Sequence, residues 1–417
     1  MDRRTFLSTA GALPMFGVVG GAVAFADEKT AEKAVDKFTA GSEPGPVFTG
    51  SPVVCGPASD AITILHPVAR HATGWIEYAV EDGPFERVDS LKAGLMPFDP
   101  HVLKFRLPSL PAGKTIRYRI TGRSVGWVQV REYYHGQIMP GDPQATPECS
   151  FRTLAPEADE TQFVVWNDTH ENSETLHALH KMTLEAKPDF LLWNGDQSND
   201  IHFEEKMAGQ YLMPDGLAIA DRWPLAYVRG NHDVRGPAAR SLPRFTGAPD
   251  DRYYYGFRSG PVAAVVLDTG EDKPDDSKWL GGITNFAAMR REQTAWLEST
   301  VQEPWFRDAP FRVLFCHIPL WFTHVNPNAE AWVCSPPCRE AWSPILQKAG
   351  VHLVISGHTH DFVWMPAKEG QPLNQLIGGG PVPKYATIIH GSATRERLQL
   401  TMKKLDGTIV ADVQLNT

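Results

Sequence analysis

Five short blocks in this chain end in oxygen and nitrogen side chains. "FVVWNDTH" closes on Asp168 and His170, and "FLLWNGD" on Asp196. "LAYVRGNHD" closes on Asn231, His232 and Asp233, "VLFCHIP" carries His317, and "VHLVISGHTH" closes on His358 and His360. Each polar cluster follows an apolar run that reads as a buried strand. Carboxylate, imidazole and amide in groups of three or four suit hard-to-borderline divalent metals. A lone "GD" is more often a turn than a ligand, and "DTH" alone says little; the signal is five blocks in this order, each behind an apolar run. Gly195, Gly230 and Gly357 stand beside the polar clusters and read as tight backbone turns. An extended "GHTH" places His358 and His360 on one side of the chain.

Such clusters need elements that bring them to one edge. From Thr161 onward apolar runs alternate with helical stretches, the texture of an α/β domain, whose sites form at the C-terminal ends of the strands. "SETLHALHKMTLEAKPDF" puts Leu176, Leu179, Thr183 and Ala186 on one helical face, and Pro188 ends the helix. "LQLTMKKLDGTIVADVQL" reads as a hairpin turning at Asp406-Gly407. From Val47 to Thr153 the texture differs. "AITILHPVA", "GWIEYAVED", "HVLKFRLPSL" and "KTIRYRITG" alternate with period two, and Ile116, Tyr118 and Ile120 share a face. This predicts a β-sandwich over 46–155 with no catalytic cluster of its own. "TLAPEADETQ" marks the boundary, the second domain covers 160–417, and 27–45 reads as a linker.

The net charge of −9 and the absence of a long basic run argue against a stable nucleic-acid partner. "MDRRTFLSTAGALPMFGVVGGAVAFADE" has a charged start, a glycine-broken apolar run and Ala24-Phe25-Ala26 before Asp27. Residues 1–26 thus resemble a twin-arginine signal peptide, which implies the export machinery as a partner and a periplasmic or secreted mature protein. An ordinary signal peptide or an uncleaved anchor is the other reading. No later apolar run reaches the ~18 residues of a membrane span. Of the five cysteines, Cys334 with Cys338 and Cys55 with Cys149 leave two readings open, disulfides or free thiols, while Cys316 reads as a packed thiol.

The order D-x-H, G-D, G-N-H-D, H, G-H-x-H resembles the calcineurin-like metallophosphoesterase family over about 161–417. The front domain followed by this one also resembles, less specifically, the layout of purple acid phosphatases, and "LPAGKTIRYRITG" is similar to the late strands of fibronectin-type-III-like domains. The resemblance implies a β-sandwich followed by a four-layer αββα domain, two β-sheets face to face between helices. It implies two divalent or mixed-valence ions such as Mn, Fe or Zn. One would take Asp168, His170, Asp196 and His360; the other would take Asp196, Asn231, His317 and His358, with Asp196 bridging. His232 would face a phosphate-ester substrate as general acid, with Asp233 fixing its tautomer and raising its pKa.

The implied reaction is hydrolysis of a phosphate ester by a hydroxide shared between two ions. A monoester is placed ahead of a diester (nucleotide or phospholipid headgroup), and a non-catalytic binding protein on the same scaffold is the remaining alternative. Asn199 stands where purple acid phosphatases carry a tyrosine ligand, and His170 has no counterpart in their first block, so no tyrosinate-coloured iron site is expected. Around this set, Asp268 reads as a turn cap, Arg235 and Asn199 as solvated loop residues, His177 and His180 as surface, and "IGGGPVP" at 378–383 as a structural turn.

Overall fold

The structure is a computed structural model that describes residues 45–58, 60–128, 137–321 and 333–417, together with the backbone of the strand Thr39–Ala40. The targeting segment and almost all of the linker read from the sequence lie outside the described residues. Among the described residues, no helix is long and apolar enough to cross a membrane.

Strands Glu160–Trp166, Phe190–Asn194 and Leu225–Val228 run parallel at the centre of a nine-stranded sheet. One flank carries Thr387–Thr394, Arg397–Lys404 and Ile409–Asn416, all antiparallel, the last two joined by a turn at Gly407 with φ 87°. A second sheet of six strands centres on the parallel trio Val262–Leu267, Phe311–Cys316 and Leu353–Ser356. The two sheets face each other across one apolar core: Phe163, Val165, Phe190 and Leu192 from the first meet Phe257, Val266, Val313 and Phe315 from the second. Strands covered on both faces read as continuous apolar runs, which is why "FVVW" and "VAAVVL" show no alternation.

The outer faces are covered by helices. Leu176 and Leu179 of the helix Ser173–Ala186 pack with Val164, Trp166, Leu191 and Trp193. Asn172 caps this helix by accepting a hydrogen bond from Thr175 N–H at 3.0 Å, and Lys187, in a left-handed conformation, closes it just before Pro188. Helices Phe286–Thr300 and Ser335–Lys348 cover the other side through Leu297, Trp342 and Leu346. Helix, sheet, sheet and helix make the four layers.

The front strands form a sandwich whose core sets Val54, Ile62, Ile64 and Phe105 against Ile76, Ile116, Tyr118 and Ile120. The front sheet does not stop at the boundary. Val53–Cys55, Ile62–Pro67 and Val102–Leu107 continue the nine-stranded sheet, joined where Cys55 pairs in parallel with Leu225. The strand that delivers "GNHD" is therefore braced from the front. All five cysteines are free thiols in the structure, so neither disulfide forms; Cys55, Cys316, Cys334 and Cys338 are buried.

Candidate metal centre

The polar clusters converge at one edge of the two-sheet core. Asp168 and His170 leave Glu160–Trp166, Asp196 leaves Phe190–Asn194, and Asn231 leaves Leu225–Val228. From the facing sheet, His317 follows Phe311–Cys316, and His358 and His360 follow Leu353–Ser356. Ligand atoms of Asp168, His170, Asp196 and His360 lie within 4.8 Å of one another, and so do those of Asp196, His317 and His358. Asp196 belongs to both groups. The Asn231 Oδ1 atom completes the second, 3.1 Å from His317 Nε2 and 2.8 Å from His358 Nδ1. In the first, His170 Nε2 and His360 Nε2 lie 3.1 Å apart, the arrangement expected when two imidazoles face one ion.

The backbone is bent to achieve this. Asp168 (φ 45°), His170 (φ 44°), Asp196 (φ 52°), His358 (φ 70°) and His360 (φ 55°) all lie in the left-handed region, which costs non-glycine residues energy and clusters at functional sites. The extended "GHTH" read from the sequence is therefore corrected. A left-handed turn, not strand geometry, sends His358 toward Asn231 and His360 toward His170.

The glycine reading is corrected in part as well. Gly195 does adopt a positive φ of 86°, but Gly230 and Gly357 do not. They are glycine for space: a Cβ on Gly230 would stand 2.2 Å from Asp196 Oδ1, and one on Gly357 2.2 Å from Asp168 Oδ2. Gly380 of the "IGGGPVP" turn is pressed in the same way against His360.

Electrostatics follow from burying two carboxylates among imidazoles. Burial pushes Asp168 up to about 7. Burial would do the same to Asp196, but His317 and His170 hold it well below the carboxylate range. His317 works the other way: burial disfavours its charge, yet Asp196 and Asp168 outweigh that and raise it to about 10. Burial, with the charge of His317, drives His358 down to about 3. Acids and imidazoles this close compete for the same protons, and a divalent cation satisfies all of them at once. The donor set therefore fits a metal pair.

His232 stands beside the cluster, its ring 4.7 Å from that of His170. Its Nδ1–H donates to the Asn199 carbonyl at 2.5 Å, and Arg235 Nη1 lies 3.1 Å from its Nε2. Burial, helped by Arg235, lowers its pKa. The role read for Asp233 does not hold. Both its oxygens are engaged away from the His232 ring, accepting from Asp196 N–H (2.9 Å), Gly230 N–H (2.8 Å), Ser198 N–H (3.5 Å) and the Tyr211 hydroxyl (2.8 Å). Asp233 is a buried clamp that ties the Asp196 and Asn231 loops together. The expected rise of the His232 pKa is corrected as well, since burial moves it down.

Arg235 is not a solvated loop residue either. It is buried and donates from Nε and Nη2 to Glu271 at 2.8 and 2.6 Å, and from Nη2 to Asp272 at 3.0 Å. Asp272 Oδ2 in turn lies 3.8 Å from His358 Nε2. Asn199 is buttressing rather than ligating: its Oδ1 lies 3.2 Å from His170 Nδ1. Asp268 accepts from Gly270 N–H at 2.7 Å and pairs with half-buried Arg229. His177 is a surface side chain paired with Asp215 at 2.7 Å.

Residues 161–362 match the family model described as calcineurin-like phosphoesterase. The second domain is similar to that family over these residues. The calcineurin-like domain is similar to serine/threonine-protein phosphatase CPPED1 of Mus musculus, 25% identical over 169 residues, 40% of this chain and 48% of that protein. Purple acid phosphatase 22 of Arabidopsis thaliana is 25% identical over 271 residues, 62% of this chain and 56% of that one. The chain thus spans about half the length of these relatives. The fold, front sandwich included, is similar to that of purple acid phosphatase PPD1 from yellow lupin seeds, with a TM-score of 0.63 at 13% identity over 89% of this chain and 75% of that one.

Proposed function

We propose that this protein is an exported phosphoesterase that hydrolyses phosphate esters at a dinuclear metal centre, with monoesters as the preferred class. The observation that carries the reading is the shared carboxylate. Asp196 belongs to two groups of ligand atoms at once, as a pair of ions bridged by one aspartate requires. Two ions held there, of the Mn, Fe or Zn kind, would polarise the phosphoryl oxygens and supply a nucleophile at neutral pH. Asp168, His170 and His360 would hold one with Asp196; Asn231, His317 and His358 would hold the other.

The chain's own chemistry concerns the leaving group. His232 lies outside both ligand sets and beside them, placed to protonate the departing alkoxide. Burial and Arg235 lower its pKa, and the charge of a bound phosphate works in the opposite direction. The likeness to proteins named as phosphatases supports the monoester. A phosphodiesterase is the second reading, since His232 serves either ester. Export rests on Arg3-Arg4 and the Ala24-Phe25-Ala26 segment.

The test is metal analysis of the purified protein followed by turnover of a monoester and a diester with Mn, Zn and Fe. About two equivalents of metal and faster monoester turnover are expected. Less than about one equivalent after loading would point to a binding protein on the same scaffold.

A further inference from the structure

Trp279 is a large aromatic side chain left 47% exposed on the loop between Asp272 and the helix Phe286–Thr300. Its ring centroid lies 5.6 Å from the Arg235 guanidinium carbon. That guanidinium cannot swing away, because Glu271 and Asp272 hold its Nε and Nη2. Its remaining Nη1 touches His232. His232, Arg235 and Trp279 are therefore successive neighbours beside the candidate metal centre, with Trp279 the exposed member.

The loop that presents Trp279 is itself anchored. Leu280 is buried, its N–H donates to Ser277 O at 3.0 Å, and Asp275 accepts from Thr284 and Phe286. Lys278 Nζ lies 4.9 Å from the same ring and keeps a cation at the rim.

We propose that Trp279 is a stacking subsite for a flat ring on the leaving group, so that the enzyme prefers nucleoside 5′-monophosphates. This rests on the phosphoesterase reading and on His232 as the group nearest the leaving oxygen. What flanks His232 flanks the leaving group, and Trp279 is the exposed aromatic ring next to its neighbour Arg235. Arg235 stands between the two. On this proposal a ring bonded directly to the leaving oxygen would sit beside His232, with Arg235 between it and Trp279. A ring set one sugar further out is the one that Trp279 would meet. Exposed aromatic faces take nucleobases with little sequence preference, and the stack is worth about tenfold or more in affinity.

The experiment compares adenosine 5′-monophosphate with the 5-phosphate of methyl riboside, which has the same alkoxide leaving group and no base. With the metal-loaded full chain, wild type should favour the nucleotide by about tenfold in kcat/KM. Trp279→Ala should collapse that ratio toward one, and Trp279→Phe should keep most of it. A packing role for Trp279 would lower both esters together and leave the ratio intact. In parallel, saturation-transfer NMR with adenosine 5′-monophosphate should show base protons contacting wild type but not Trp279→Ala. A wild-type ratio near one, or a ratio and base signal that survive Trp279→Ala, overturns the subsite. Turnover of neither ester overturns the phosphoesterase reading instead, and the base signal still decides the stacking.

Discussion

Arg235 Nη1 lies 3.1 Å from His232 Nε2 while the Nδ1–H of the same ring donates to the Asn199 carbonyl. A guanidinium only donates, so the contact fixes a neutral tautomer with its lone pair on Nε2, the atom that must later carry a proton. Arg235 is thus a positioning residue for His232. It also satisfies Glu271 and Asp272, so its removal needs compensation. Arg235→Gln with Glu271→Gln should slow hydrolysis of an ester with a poor leaving group by about tenfold or more. In a His232→Ala background the same pair should add less than about threefold, because coupled residues are not additive. Full additivity in kcat/KM would show that Arg235 acts elsewhere.

His232 itself separates by leaving group. General acid catalysis contributes about 10²–10⁴-fold when the leaving group is a poor one and little when it departs unaided. His232→Ala should therefore cost an alkyl phosphate at least about a hundredfold in kcat and a nitrophenyl phosphate less than about tenfold. Equal losses on both would mean that the ring positions substrate instead.

Gly357 tests the close packing under the ligands. A methyl there would stand 2.2 Å from Asp168 Oδ2 and 3.2 Å from Asn167 Cβ. Asp168 cannot retreat, because its oxygens accept the His358 N–H at 2.8 and 2.9 Å. Gly357→Ala should lose metal, read by elemental analysis, and should be destabilised. Gly209→Ala meets no atom within 4 Å and should keep its full complement.

The site was legible in the sequence where each ligand ends an apolar run, because a buried strand read from one segment tells where the chain emerges. Long-range partners were not. Arg235 meets Glu271 and Asp272 across some 36 residues, and nothing in "TGEDKPDD" separates buried acids from a solvated run. The role of the Asp233 carboxylate is not legible because its partners are backbone N–H groups of two loops and the hydroxyl of distant Tyr211, which leave no trace in the local residue pattern. The alternating front strands were readable one by one, but their fusion to the central sheet through Cys55 and Leu225 depends on tertiary packing. Left-handed backbone at His358 and His360 was hidden for a similar reason: histidine gives no sign of it, and the ligand geometry imposes it.

His66 predicts how the front domain responds to acid. It is buried against Phe48, with ring centroids 4.6 Å apart, and burial lowers its pKa to about 4. Unfolded, it titrates near 6.5, so the unfolded chain binds the extra proton between those values. The stability held by the neutral ring is full above about pH 6.5 and is lost as pH falls toward 4, by up to about 3 kcal/mol. Denaturation midpoints at pH 7.5 and 4.5 should differ in wild type, and the difference should shrink in His66→Gln. An unchanged difference would place the acid sensitivity in another group.

Asn231 is the neutral member of the ligand set, with Oδ1 facing His317 and His358. The second ion already shares Asp196 with the first, so a further carboxylate would leave the pair with less net positive charge to meet an anionic phosphate. Two like charges about 4 Å apart cost about 4 kcal/mol at the effective dielectric of a protein surface. Asn231→Asp should therefore hold metal at least as tightly, losing it more slowly to a chelator, while turnover falls by about tenfold or more. A larger KM for the dianionic monoester than for a monoanionic diester would locate the repulsion at the substrate. An Asn231→Asp protein with wild-type metal release and wild-type turnover would mean that the amide is there for its hydrogen-bonding shape and not for its charge.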